Sequence, residues 1–140
     1  MGRRETRENA MKLLYQLQIQ KDDVDEQIDR YIEEQGIQEE TEKAYIMDVV
    51  HGVLDKQSAI DEILSHHAKG WTISRMPKVD LAIMRLSTYE MHYRKDIPVN
   101  VSINEAVEMA KKYSGEQSRV FINGVLGKVW TEISGQTEVP

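Results

Sequence analysis

Three arginines near the start of the chain, Arg3, Arg4 and Arg7, have the side chains best suited to bind an anion. Their surroundings predict an amphipathic helix over about residues 3–20. A positive charge at a helix N-terminus interacts unfavourably with the helix dipole, and each arginine there costs roughly 0.3–1 kcal/mol of helix stability. Because they cannot be buried unpaired, we expect the first two turns to protrude beyond the bundle and present guanidinium groups to phosphates or bases. The alternative is a solvated N-terminus whose positive charges interleave with neighbouring glutamates.

A second candidate lies near the other end of the chain, where Phe121 is the only phenylalanine. Gln117 and Arg119 precede it in the same predicted helix. An aromatic ring beside cationic and amide groups can stack on an unpaired base, which contributes about 1–3 kcal/mol per base. The alternative interpretation is a core aromatic at helical spacing. Trp71 and Trp130 are interpreted as packing residues.

Residues that could carry catalysis do not form a recognisable set. Glu90 falls on the apolar stripe of its predicted helix without a second titratable residue at a fixed spacing, so we assign it a structural role. The four histidines form no i, i+4 metal pair, and neither a phosphate-binding loop nor a nucleophile motif occurs. The absence of cysteine excludes disulfides and thiolate chemistry. We therefore predict a protein that is not an enzyme and that has no cofactor and no metal.

The charge of the chain is unevenly distributed. The net charge of the 140 residues is −6, but residues 1–21 sum to +3, residues 22–66 to −11 and residues 67–140 to +2. The basic N-terminus therefore offers a partner a local field that the whole-chain charge conceals. The N-terminus has no apolar signal segment and no run approaches the roughly 20 apolar residues that span a bilayer. We expect a soluble, cytoplasmic protein with no membrane partner.

The periodicity of the apolar residues, together with the residues that start and stop helices, predicts an all-α fold of about seven helices in two packed small bundles. Residues 102–105 (SINE) form a capping box that predicts a helix start at Ser102, and Asp96–Val101 is predicted as a loop. A break or a bend is expected near Ser58. We expect one domain over residues 1–130, with sub-bundles over about 1–66 and 77–130. Residues 131–140 are expected to form a flexible tail.

Four segments resemble the NusB family of bacterial transcription antitermination factors. The segments are residues 3–16 (RRETRENAMKLLYQ), 79–90 (VDLAIMRLSTYE), 98–107 (PVNVSINEAV) and 118–126 (SRVFINGVL). They occur in the family's order and at its spacing, and the resemblance covers roughly residues 2–130. The length and order of the match make it specific.

The resemblance implies a non-catalytic, all-helical RNA-binding protein. The family binds the single-stranded boxA element of nascent ribosomal RNA operon transcripts together with NusE, a small-subunit ribosomal protein. It acts on elongating RNA polymerase with other Nus factors. The arginine-rich first helix and an aromatic residue of the terminal helix are the family's RNA contacts. The predicted RNA-binding residues are Arg3, Arg4, Arg7, Gln117, Arg119 and Phe121.

Two alternatives are a NusB-like module of ribosomal RNA methyltransferases and a helical adaptor that binds only proteins. Because the chain ends at residue 140 without room for a cofactor-binding α/β domain, we expect a free-standing factor. The family includes monomers and dimers. A homodimer that hides the basic N-terminus would be an autoinhibited form.

Overall fold

The computed structural model of the protein describes residues 3–137, and the side chains of residues 3–135. Within these residues the chain forms seven α-helices, one short 3₁₀ helix and no strand, which confirms the predicted all-α fold. The helices are α1 (Arg3–Ile19), α2 (Val24–Glu34), α3 (Glu40–Asp55), α4 (Gln57–His67), α5 (Lys78–Tyr93), α6 (Val99–Tyr113) and α7 (Glu116–Thr137), with the 3₁₀ helix at Ile73–Arg75. No helix in this part of the chain has the length and apolar character that crossing a bilayer requires.

Helix α5 lies at the centre of the molecule. It packs against α1, α3 and α4, which precede it in the chain, and against α6 and α7, which follow it. Every residue from 81 to 91 is buried, so this helix is enclosed all round. The two groups of helices, α1–α4 and α5–α7, therefore share one continuous apolar core.

Helices α3 and α5 approach each other closely at one glycine. A Cβ atom placed on Gly52 would lie 2.2 Å from the Tyr89 ring. The Tyr89 hydroxyl donates a hydrogen bond of 3.0 Å to Asp48, one turn earlier in α3. Glycine at position 52 is therefore required by packing against the central helix and not by backbone conformation.

The predicted capping box is wrong. Helix α6 begins at Val99 with Pro98 as its N-cap, so residues 99–101 are helical and Ser102 lies inside the helix. The Ser102 hydroxyl donates a hydrogen bond to Glu90, and the Glu105 carboxylate accepts two from Arg4. Both side chains are engaged by other helices, and proline starts the helix because its fixed φ suits that position.

Two other helix boundaries differ from the prediction. The break between α3 and α4 falls at Lys56, two residues before the predicted Ser58. Helix α7 continues to Thr137, so the expected fraying from Thr131 is not found over residues 131–137. The reason is that Ile133 is fully buried and anchors this extension to the core. Residues 138–140 of the predicted tail lie outside the described residues.

Candidate functional site

The three N-terminal arginines occupy different environments. Arg3 and Arg4 are exposed, as predicted. Arg7 is only 2 % exposed, so the prediction that it protrudes with them is wrong. The physical reason is a partner distant in sequence, because Arg7 Nε lies 3.0 Å from Glu90 Oε2 in α5. As placed, Arg7 joins helices and cannot touch an RNA on the surface.

Glu90 is the centre of a buried polar network that joins four helices. Besides Arg7 from α1, its carboxylate accepts hydrogen bonds from the Tyr45 hydroxyl of α3 and the Ser102 hydroxyl of α6. Burial and the adjacent carboxylate raise the pKa of the Tyr45 hydroxyl well above its usual value, so it remains a donor. This set of contacts agrees with the structural role predicted for Glu90, whose partners the sequence did not identify.

Arg4 is held on the surface by a bidentate ion pair. Its Nε and Nη2 atoms donate to the two oxygens of Glu105 at 2.9 and 2.8 Å. The Arg4 side chain remains 58 % exposed, whereas that of Glu105 is 12 % exposed. The hydrogen bond from Arg4 holds the pKa of the Glu105 carboxyl below its usual value. A phosphate that binds Arg4 must therefore compete with this carboxylate.

Side-chain contacts connect α1 to α6 in the same order along both helices and form a seam of charged residues. One turn after Arg4, the Glu8 carboxylate accepts hydrogen bonds from Lys112 at 3.0 Å and from the Tyr113 hydroxyl at 2.7 Å. Although burial acts to raise it, the hydrogen bonds from Tyr113 and Lys112 hold the pKa of the Glu8 carboxyl below its usual value. A further turn along, the Lys12 ammonium lies 5.4 Å from the centre of the Tyr113 ring.

The predicted residues of the terminal helix lie near the start of α7. Gln117 is exposed, and Arg119 forms an ion pair with Glu116 one turn earlier. Phe121 is half-buried and packs against the core. The centre of its ring lies 5.9 Å from that of Trp71, with the two rings tilted by 59°.

The structure does not bring the two predicted groups together. The Arg7 end of α1 meets α5 at Glu90, whereas the start of α7 meets α5 at Asp80, which accepts a hydrogen bond of 2.8 Å from Ser118. About ten residues of helix separate these points, or roughly 15 Å. The α1–α6 seam extends along this interval, so the two groups are the ends of one elongated surface.

Sequence reasoning missed three residues of this surface. Lys12 and Lys111 are exposed and form no ion pair within the described part of the chain, and Trp71 is 50 % exposed although it was interpreted as a packing residue. The i, i+4 spacing of Arg4, Glu8 and Lys12 is a signal in α1 that could have identified the seam. Nothing in the sequence indicates the exposure of Trp71.

The described residues hold no group of three or more histidine or acidic side chains that could bind a metal ion. The closest arrangement is a pair of histidines at the end of α4, where His67 Nε2 lies 2.8 Å from Glu132 and His66 Nδ1 lies 3.4 Å from the same oxygen. The groups that the surface does hold, cationic side chains and aromatic rings, can bind anions and stack on bases.

Comparisons with known proteins agree with this description. The NusB family model matches residues 4–131. The transcription antitermination protein NusB of Acetivibrio thermocellus is 57 % identical over 92 % of this chain and 88 % of that protein. The name of that relative describes a transcription antitermination protein, in agreement with the non-catalytic role predicted for this chain.

Solved structures give the same result. The structure of T. maritima NusB matches with a TM-score of 0.87 and 31 % identity, over 99 % of both chains. A chain of the crystal structure of the antitermination factors NusB and NusE in complex with dsRNA matches with a TM-score of 0.85 and 25 % identity, over 93 % of this chain and 96 % of that one. By sequence and by fold, the chain belongs to the NusB family.

Proposed function

We propose that this antitermination factor binds the single-stranded boxA element of nascent ribosomal RNA operon transcripts together with NusE. The observation that supports RNA and NusE as partners is the likeness to a chain crystallised in a complex of NusB, NusE and dsRNA. The choice of single-stranded boxA rests on the resemblance of the sequence to the NusB family. In this function the protein acts in the bacterial cytoplasm, on elongating RNA polymerase with other Nus factors. Its RNA surface is the elongated one formed by α1, α6 and the start of α7.

The cations of this surface supply the phosphate contacts. Arg3 and Arg4 lie at one end, Lys12 and Lys111 lie along the seam, and Arg119 lies at the other end. Cationic side chains position a nucleic acid through its phosphates, whereas unpaired bases are read by stacking and edge contacts. Gln117 and Phe121, at the start of α7, supply groups of the second kind.

Several of these cations already have a carboxylate partner. Glu105 holds Arg4, Glu8 holds Lys112 and Glu116 holds Arg119. An RNA phosphate must displace or share each partner, so the net gain of each contact is small. We therefore expect weak RNA binding by the protein alone and tighter binding when NusE supplies additional contacts.

The experiment measures binding of a boxA-type RNA by gel shift, with and without NusE, over a range of salt concentrations. For the protein alone we expect a shallow salt dependence, of about −0.7 per neutralised phosphate. A slope that corresponds to eight or more phosphates without NusE contradicts the proposed surface. RNA binding that is absent in both conditions, with NusE binding retained, identifies a protein-binding adaptor instead.

The matched variants are Arg4→Ala in the predicted surface and Arg30→Ala, which removes an exposed, ion-paired arginine from α2. Arg4→Ala is expected to weaken binding of boxA and of unrelated single strands by similar factors, because phosphate contacts carry little sequence information. Arg30→Ala is expected to bind as the unaltered protein does. Sedimentation of the free protein tests the homodimer, which stays a prediction.

A further inference from the structure

The connector between α4 and α5 presents an aromatic ring to solvent. Trp71 is 50 % exposed, although a large apolar side chain is ordinarily more enclosed. Its ring rests on Phe121 at 5.9 Å between centres, and Phe121 in turn packs on the core. Of the two rings, Trp71 is therefore the outer one, and Phe121 is its support.

Positively charged residues without an ion-pair partner among the described residues flank this ring in the sequence. Residues 68–78 contain Lys69, Arg75 and Lys78 and no acidic residue, in a chain whose net charge is −6. All three cations are exposed, and within residues 3–135 none of them forms an ion pair. The arginines of the predicted RNA surface at Arg4 and Arg119 are, by contrast, paired with carboxylates. A phosphate that approaches the connector has no carboxylate of its own segment to displace.

We propose that Trp71 stacks on an unpaired base of the bound single-stranded RNA, with Phe121 as its positioning residue and with Lys69 and Arg75 on the flanking phosphates. The inference rests on the proposed RNA-binding function and differs from it at one residue, because it assigns to Trp71 the stacking contact given there to Phe121. An exposed aromatic ring between unpaired cations is the arrangement by which proteins hold single strands without reading base edges. A duplex offers no unpaired base to this ring.

The test uses the fluorescence of Trp71 in the full chain. Trp130→Phe leaves Trp71 as the single tryptophan. With a tryptophan-free NusE present, a single-stranded boxA-type RNA is expected to quench Trp71 emission at the concentrations where gel shift reports binding. A blunt duplex of the same sequence is expected to leave the emission unchanged, and so is NusE without RNA.

Affinity measurements with four variants complete the test. Trp71→Ala is expected to weaken RNA binding about 5-fold to 150-fold, the range that corresponds to loss of one stacked base, with an unchanged salt slope. Trp71→Phe is expected to retain most of the affinity. Lys69→Gln and Arg75→Gln are each expected to reduce the salt slope by about 0.7.

The controls distinguish this inference from the function on which it rests. Arg30→Gln removes one positive charge outside the connector and is expected to change neither affinity nor slope. If the Trp130→Phe protein binds RNA without quenching of Trp71, and Trp71→Ala binds RNA as tightly as the unaltered protein does, the inference is wrong and the proposed function stands. If no RNA binds even with NusE, the proposed function itself fails. Quenching by NusE alone, with no further change on adding RNA, shows a protein contact and overturns the stacking assignment.

Circular dichroism melting accompanies each variant, because Trp71 also covers Phe121. If Trp71→Ala does not fold, the quenching experiment decides the question, since it retains the native Trp71. Trp71→Phe provides a second, folded comparison.

Discussion

Two arginines three positions apart in α1 illustrate how burial determines the role of a charge. Arg4 pairs with Glu105 at the surface and remains in contact with solvent, whereas Arg7 and its partner Glu90 are both buried. An exposed pair contributes little to stability. A buried pair stabilises a fold only when further hydrogen bonds satisfy its remaining polar atoms. Glu90 gains two such bonds, from Tyr45 and Ser102, whereas Nη2 of Arg7 has no partner among the described residues.

Removal of the buried carboxylate charge should be strongly destabilising. Glu90→Gln leaves Arg7 enclosed without a counterion, and its Nη2 atom already has no hydrogen-bond partner among the described residues. We expect a loss of about 3–5 kcal/mol in the free energy of unfolding, measured by urea denaturation. Glu105→Gln, which breaks the exposed pair instead, should change the free energy of unfolding far less. Equal losses for the two variants would contradict the assigned environments.

The Glu105 pair should also give the stability a small dependence on pH. The hydrogen bond from Arg4 holds the pKa of the Glu105 carboxyl below its usual value in the folded protein. The stabilisation is therefore fully present above the pKa of the unfolded chain, near 4.3. It is lost as the pH falls through the lower, folded pKa, because protonation removes the partner of Arg4. Unfolding free energies measured between neutral pH and about pH 3 should therefore converge for the unaltered protein and Glu105→Gln as the pH falls. A difference that grows on acidification would contradict this sign.

Among the helices, two glycines allow opposite predictions from the same substitution. Gly52→Ala places a Cβ within 2.2 Å of the Tyr89 ring and should destabilise the protein by about 1–3 kcal/mol. Gly127→Ala, in the middle of α7, meets nothing within 4 Å and should stabilise it by about 0.5–1 kcal/mol. Urea denaturation of both variants provides the measurement. Stabilisation by Gly52→Ala would show that α3 and α5 do not approach as described.

The helices themselves could be predicted from the sequence because their apolar periodicity is local. Their ends could not always be predicted, as α6 demonstrates. Ser102 and Glu105 have the types and spacing of a capping box, yet one bonds Glu90 and the other bonds Arg4. A local rule was overridden by partners on other helices, and such partners are invisible to a reading of neighbouring residues.

The same reason limits prediction of the candidate site. The positions of Arg3 and Arg4 at the surface followed from the charge pattern of α1. The burial of Arg7 did not, because it depends on a carboxylate 83 residues away. The exposure of Trp71 also arises from tertiary packing, since Phe121 and the core occupy the space beneath it.

At the scale of the whole molecule, α5 connects the two groups of helices. Helix α5 packs against α1, α3 and α4 as well as against α6 and α7, so unfolding of α5 would expose the apolar core on both sides of the contact. We expect a single cooperative unfolding transition, with coincident curves from far-ultraviolet circular dichroism and from tryptophan fluorescence. Two separate transitions would show that the sub-bundles over about residues 1–66 and 77–130 are independent domains.

The complete enclosure of α5 has a consequence for backbone amide hydrogen exchange. An amide exchanges with solvent when its segment opens, and the slowest amides report the free energy of global unfolding. Residues 81–91, which are buried without interruption, should therefore contain the slowest-exchanging amides of the chain. The connector that carries Trp71 is exposed at most of its positions and should exchange early. Deuterium uptake would thus distinguish residues 81–91 of α5, whose amides exchange only when the whole protein unfolds, from the connector, whose amides exchange by local opening.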